Sequence, residues 1–189
     1  MKIGVLALQG DFEAHKKAIE SAGGQAFEIR TAQELYTVDG LVIPGGESTT
    51  MLKLLDNENL FEPLREFGKA KPIFGTCAGA ILLASEVVNP MQKSLGLIDL
   101  TVERNGYGRQ IDSRIAAIDW GGSPTEAVFI RAPIIRRVGP DATVLASYQD
   151  APVLVEQGRH MAATFHPELS ESGAAIHRRF IEKVAAQHE

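Results

Sequence analysis

The sequence predicts a three-layer α/β/α domain with a mostly parallel central sheet and an added β-rich segment. Three observations carry this expectation. Strand-like and helix-like segments alternate through the first 85 residues. Strand-like segments with no long helix between them fill most of the remainder, and an amphipathic segment closes the chain.

Residues 2–8 are a short, nearly continuous apolar run, as expected of a strand buried on both faces, and residues 11–22 read as the helix that follows. Gly23-Gly24 stops that helix. A strand at 26–29, a short helix near 33–36, a strand at 40–43 and helices at 48–55 and 60–69 continue the alternation. Residues 72–75 form another buried strand, and 78–85 an Ala/Leu-rich helix. Beyond Pro90, strands are expected at 97–103, 114–119, 127–130, 143–148, 152–156 and 161–165, separated by Gly, Pro and Asp turns. Residues 170–187 read as the closing helix, with Ile176, Phe180, Ile181 and Val184 on one face. No repeat, low-complexity stretch or linker divides the chain, so residues 1–189 are expected to form one domain.

Composition narrows the function classes. The chain has 189 residues, 44% of them hydrophobic, enough to bury a core without metal or disulfide staples. A single cysteine, Cys77, excludes an internal disulfide framework and multi-cysteine metal sites, and points to a reducing compartment, the cytoplasm by default. Residues 1–8 end too soon for a signal-peptide apolar region, and no apolar run approaches the ~20 residues that span a bilayer. The net charge is −5, and the 19 basic residues are spread evenly along the chain, which offers nucleic acid no basic stripe. Neither a membrane nor a nucleic acid is an expected partner.

The segment richest in chemistry is Ile73-Phe74-Gly75-Thr76-Cys77-Ala78-Gly79-Ala80, a buried strand running through Gly-x-Cys-x-Gly into a helix. This is the nucleophile-elbow pattern with cysteine in place of serine. The sulfur would sit at a helix N-terminus, whose N–H groups and dipole favour thiolate over thiol. A lone cysteine is otherwise a small buried hydrophobe, and the elbow context argues against that reading. A cysteine nucleophile needs a base, and the base an orienting partner. His166-Pro167-Glu168 supplies both, because Pro167 favours an extended His166, and residues two apart in an extended chain project to the same side of one cleft. His15, His160, His177 and His188 have polar or turn neighbours and are read as solvated.

A second Gly-rich strand-to-helix loop runs Leu41-Val42-Ile43-Pro44-Gly45-Gly46-Glu47-Ser48-Thr49. It lacks the Gly-Lys-Ser/Thr continuation of a phosphate loop. Acyl chemistry needs backbone donors at the developing oxyanion, one from the residue after the nucleophile and one from a neighbouring loop, and Ala78 and Gly46 fit those places. Glu47 and Ser48 would offer a carboxylate and a hydroxyl to the ammonium of an amino-acid substrate, or would serve as helix caps.

Pro-Gly-Gly-Glu-Ser, Gly-Thr-Cys-Ala-Gly and His-Pro-Glu, in this order, resemble the class I, triad-type glutamine amidotransferases. Within them, residues 4–11 (Gly-Val-Leu-Ala-Leu-Gln-Gly-Asp) with His15, residues 44–50, 102–110 (Val-Glu-Arg-Asn-Gly-Tyr-Gly-Arg-Gln), 129–133 and 164–168 resemble the branch of glutaminase subunits of pyridoxal 5′-phosphate synthases. The resemblance covers nearly the whole chain. It departs at Arg114, a surface or interface position where many relatives carry an aromatic residue.

The resemblance implies that Cys77 attacks the side-chain amide of L-glutamine, His166 carries the proton to the leaving ammonia, and Glu168 orients His166. It implies glutamine contacts at Gly46, Glu47, Ser48, Arg104, Ile130 and Arg131, no metal, and no cofactor. Either arginine suits the α-carboxylate. The ammonia would pass to a barrel-fold synthase subunit in a large hetero-oligomer, and activity would stay low until that partner docks, with the Gly45-Gly46 peptide turning as it does so. Phe12 and Leu60 are expected as exposed apolar candidates for the interface. The alternatives are a class I glutaminase serving another ammonia acceptor, a γ-glutamyl cysteine hydrolase, and a non-catalytic subunit on the same scaffold.

Overall fold

A computed structural model describes residues 1–105 and 113–187. Residues 106–110 of the branch-specific motif, and His188, therefore lie outside the described residues. The chain begins β1 (Lys2–Leu6), α1 (Phe12–Ser21), β2 (Gln25–Ile29), α2 (Ala32–Leu35), β3 (Gly40–Ile43), α3 (Ser48–Asn57), α4 (Phe61–Ala70), β4 (Ile73–Thr76) and α5 (Ala78–Leu83). It continues through β5 (Ala84–Val88), β6 (Ile98–Glu103), β7 (Ser113–Trp120), β8 (Ser123–Ile130), β9 (Ile134–Val138), β10 (Thr143–Tyr148), β11 (Ala151–Gln157) and β12 (His160–Ala163). A 3-10 turn at Pro167–Leu169 then leads to α6 (Ala174–Ala185).

The seven-stranded sheet runs β10-β11-β12-β4-β3-β1-β2. From β12 to β2 the neighbours are parallel, and β10-β11-β12 adds an antiparallel edge. Alternate side chains of the central strands feed two cores, as period-two geometry requires. Leu41, Ile43 and Ile73 pack with helices α2 to α5 on one face. Val42, Phe74, Ile3 and Val5 pack with α1 and α6 on the other, against Ile19, Ile176 and Phe180. Phe74, Phe165 and Phe180 are fully buried, each contributing about 1.5–3 kcal/mol of transfer free energy. A three-stranded sheet, β5-β6-β9, and the β7–β8 hairpin form the added β-rich part.

Several expectations need correction. The helix expected to run to Ser85 ends at Leu83, because Ala84–Val88 pairs in parallel with β6 as a strand. Strand β9 was not expected from the sequence; it pairs with β6, and its Ile134 and Ile135 are buried while Arg136 and Arg137 face outward. The closing helix starts at Ala174 rather than 170, since Ser170 Oγ caps the turn by accepting from Gly173 N at 3.1 Å. Leu60 is fully buried in the core and offers no interface, and Phe12 is only half-buried, with the Arg30 guanidinium over its ring. His15 and His177 are fully buried and His160 nearly so, against the expectation that they are solvated. Arg114 is exposed, and its Nη1 donates to the Tyr148 hydroxyl at 2.7 Å. Among the described residues no helix is long and apolar enough to cross a membrane.

Candidate active site

The elbow is built by close backbone packing. A Cβ on Gly75 would stand 2.3 Å from the Gly79 carbonyl oxygen, and one on Gly79 would stand 2.2 Å from that of Ile43, so helix α5 touches β4 and β3 without side chains between them. Cys77 joins them at φ 51°, ψ −108°, a region costly for a non-glycine residue and typical of functional turns. Its N–H donates to Ala163 O at 2.8 Å, which ties the turn to β12. Cys77 is 6% exposed, its Sγ 3.8 Å from Ile130 O, and Ala78 is the first helical residue behind it.

His166 follows β12, and its N–H donates to Val128 O of β8 at 2.8 Å. The next residues form a 3-10 turn rather than extended chain, and Pro167 stands at its start, where no N–H is needed. The turn brings Glu168 Oε1 to 2.7 Å from His166 Nδ1. Glu168 thus sits behind His166, with its side chain 1% exposed, instead of sharing the open cleft. Burial works against a charge on His166. The side-chain hydrogen bonds with Cys77 and Glu168 outweigh it and raise its pKa to about 10.

In front of this pair opens a cavity of about 790 Å³. It gathers Gly46, Glu47, Ser48, Cys77, Arg104, Ile130, Arg131 and His166, eight of the residues singled out from the sequence. Ala78 and Glu168 are not among its lining residues. Gly45, expected to turn with Gly46, also lines it, and Gly10, Asp11, Ile81, Asn105 and Ser113, for which no site role was expected, complete the lining. Gly10 and Asp11 had a signal in the Leu-Gln-Gly-Asp segment, and Ile81 had only its place four residues after Cys77.

Glu47 caps helix α3, accepting from Thr49 N at 3.0 Å and Thr50 N at 2.7 Å. Arg104 Nη2 lies 3.2 Å from Glu47 Oε1 and donates to Thr49 Oγ1 at 2.9 Å, so it leans on the same helix end. Ser48 Oγ donates to Gln92 Oε1 at 2.9 Å. Arg131 follows β8 with φ 44°, a bend that turns the chain beside Ile130 at the cavity. Among the described residues, no group of three or more His, Cys, Asp or Glu side chains is arranged to hold a metal ion.

A cysteine on a strand-to-helix elbow beside a histidine–glutamate pair has the geometry of a cysteine-nucleophile acyl-transfer site. The chain belongs to the SNO glutamine amidotransferase family, which it matches over residues 5–186. It is 57% identical to pyridoxal 5′-phosphate synthase subunit PdxT of Solibacter usitatus, an alignment covering 97% of this chain and 99% of the relative. Subunit PdxT of Koribacter versatilis is 52% identical, with 97% and 96% covered. A crystal structure described as a glutamine amidotransferase superposes with a TM-score of 0.90 at 44% identity, covering 97% of this chain and 98% of the other. PurLQS from Thermotoga maritima, 15% identical with a TM-score of 0.68, shares the fold.

Proposed function

We infer that this chain is the glutaminase subunit of a pyridoxal 5′-phosphate synthase, releasing ammonia from L-glutamine for vitamin B6 biosynthesis. The observation that carries the chemistry is the elbow Cys77 beside His166, whose Nδ1 is held 2.7 Å from Glu168 Oε1. The near-full-length identity to subunits of that synthase supports the acceptor.

Cys77 Sγ, relieved of its proton by His166, attacks the glutamine Cδ. The carbonyl oxygen becomes an oxyanion facing the N–H groups of Gly46 and Ala78. Collapse breaks the C–N bond, and the proton on His166 Nε2 leaves with the nitrogen as ammonia. His166 then takes a proton from water, which attacks the γ-glutamyl thioester; glutamate departs and the thiol is restored. Glu168 stabilises the imidazolium formed in each half. Arg104 and Arg131, both lining the cavity, face the glutamine carboxylate, and the rim carboxylate of Glu47 faces its ammonium. No step calls for a metal or cofactor. The ammonia passes to a barrel-fold synthase subunit.

The test is glutamate release from L-glutamine by the purified chain, alone and with the synthase subunit, with Cys77→Ala as control. Release stimulated by the partner and abolished in Cys77→Ala is expected. Equal release with and without the partner would point to another acceptor, and no release in either case to a non-catalytic subunit.

A further inference from the structure

Behind Glu168 lies a buried chain of polar groups that the reaction above does not use. His15 of α1, Thr76 of β4 and His177 of α6 meet between the sheet and two helices, and both histidines are fully buried. His15 Nδ1 is 2.9 Å from His177 Nε2, and His177 Nδ1 is 3.3 Å from Gly173 O. His15 Nε2 is 3.2 Å from Thr76 Oγ1 and 3.3 Å from Glu168 Oε2. That carboxylate oxygen is buried and receives no well-aligned hydrogen bond.

Proton counting leaves two neutral arrangements. In one, His177 Nδ1–H donates to Gly173 O and His15 Nδ1–H donates to His177 Nε2. His15 Nε2 is then a lone pair, and Glu168 Oε2 faces it with no donor. In the other, His177 Nε2–H donates to His15 Nδ1, and His15 Nε2–H lies between Thr76 Oγ1 and Glu168 Oε2. This arrangement gives up the bond from His177 Nδ1 to Gly173 O at 3.3 Å, leaving a neutral nitrogen without a donor, and sets a donor 3.3 Å from Glu168 Oε2. An unmet charged group costs more than an unmet neutral one, so the second arrangement wins.

We propose that His15 is a positioning residue of the glutaminase centre: its Nε2–H grips one oxygen of Glu168 while His166 holds the other, and His177 fixes the tautomer that makes this possible. The proposal rests on the reading of Cys77, His166 and Glu168 as the triad. It adds a second anchor, so that the carboxylate cannot rotate away as His166 gains and loses its proton. The ionisable groups in this contact chain are His15 from α1, His177 from α6, and Glu168 and His166 from the turn after β12, with Cys77 beyond His166. Burial, first of all, keeps His15 and His177 neutral, with His177 and His166 adding to the effect at His15.

The experiment compares His15→Leu, His15→Gln and Cys77→Ala with the unsubstituted chain, all in the presence of the synthase subunit. It follows kcat and KM for glutamine against pH, with thermal unfolding alongside. His15→Leu is expected to lower kcat about tenfold or more while KM stays within about twofold. The limb of the profile that reports His166 moves to higher pH, because an ungripped carboxylate is the stronger partner. Gln, whose amide N–H can reach where Nε2–H stood, restores most of the rate. In the unsubstituted chain, ring-nitrogen NMR should find the proton of His15 on Nε2.

Undiminished kcat with an unmoved profile in His15→Leu, equal impairment of Leu and Gln variants that unfold at the same temperature, or the proton on Nδ1 would each overturn the proposal. The NMR result decides it if the Leu variant fails to fold. An active Cys77→Ala would overturn the triad reading and this proposal together, whereas an inactive Cys77→Ala beside an unimpaired His15→Leu would overturn only the proposal.

Discussion

Gly45 and His166 are packed so closely that no side chain fits at position 45: a Cβ there would stand 2.6 Å from His166 Cε1 and 3.2 Å from Cys77 Cβ. The loop that carries the candidate oxyanion donor Gly46 is thereby pressed onto the base and the nucleophile, so the three are placed as a unit. Gly45→Ala should push the imidazole off its line to Cys77 and lower kcat on the order of 100-fold. Since the clash is local, the thermal midpoint should move far less than the rate does. Steady-state kinetics beside thermal unfolding checks this, and an Ala variant of normal kcat would contradict it.

The elbow makes a stability prediction of a different kind. Gly79 faces the backbone oxygen of Ile43, where a Cβ would stand at 2.2 Å and no flexible side chain can give way. Gly79→Ala must therefore part α5 from β3, at a cost of about 3 kcal/mol or more. Urea denaturation should show it as a lower midpoint with an unchanged slope. A cost below about 1 kcal/mol would mean that the packing adjusts freely.

Acid should weaken the fold before its carboxylates begin to titrate. Burial first, then the nearby Arg159 charge, holds His160 down to about 4, and burial holds His177 at about 4, against an ordinary 6.5. A histidine depressed in the folded state binds fewer protons there than in the unfolded chain. Its contribution is complete above about pH 6.5 and is lost as pH falls toward about 4. Burial would raise the Glu47 carboxyl, but hydrogen bonds from Thr50 and Thr49 prevail and hold it at about 2, so its contribution is lost only below its unfolded value of 4.5. Between about pH 6.5 and 4.5 the histidines dominate, and His160 alone accounts for about 2 kcal/mol. His166, raised to about 10, acts oppositely: its contribution is complete below about 6.5 and is lost as pH rises through about 10. Urea midpoints across this range should peak near neutrality, and a flat profile from about pH 7 to 4.5 would contradict the assignment.

At the cavity rim, Glu47 caps α3 and also meets Arg104. Glu47→Ala should cost about 1 kcal/mol of stability through the lost cap. It should also raise KM for glutamine more than it lowers kcat, because it frees Arg104 and removes the partner proposed for the substrate ammonium. Glu47→Asp, which retains a capping carboxylate, should recover the stability. Kinetics and denaturation of the two variants separate the effects.

The parallel half of the fold was legible because β1, β3 and β4 are short, nearly continuous apolar runs, β3 followed and β4 preceded by proline, and β2 follows the Gly23-Gly24 stop even though Gln25 and Glu28 interrupt it. The nucleophile and the base with its carboxylate were legible for a related reason: each lies in a short motif at a strand end. Strand β5 was hidden because it starts at Ala84 directly after helix α5 with no glycine or proline between them, and its pairing with the distant β6 leaves no local mark. The three buried histidines were misread from polar neighbours in sequence. For His15 and His177, position on the helix was the better guide, since Phe12, His15, Ile19 and Ala22 recur at spacings of three and four, and His177 shares a face with Phe180, Ile181 and Val184. Local spacing also could not show that Glu168 stands behind His166 in a 3-10 turn, because that depends on where α1 and β8 meet the turn.

The central claim is that Cys77 carries the γ-glutamyl group during turnover. Acid quenching of the chain at work on L-glutamine with the synthase subunit, followed by peptide mass analysis, tests it directly. A γ-glutamyl adduct confined to the peptide bearing Cys77, and absent in Cys77→Ala, is the predicted result. Glutamate release at a normal rate with no adduct, or with the adduct on another residue, would contradict the account.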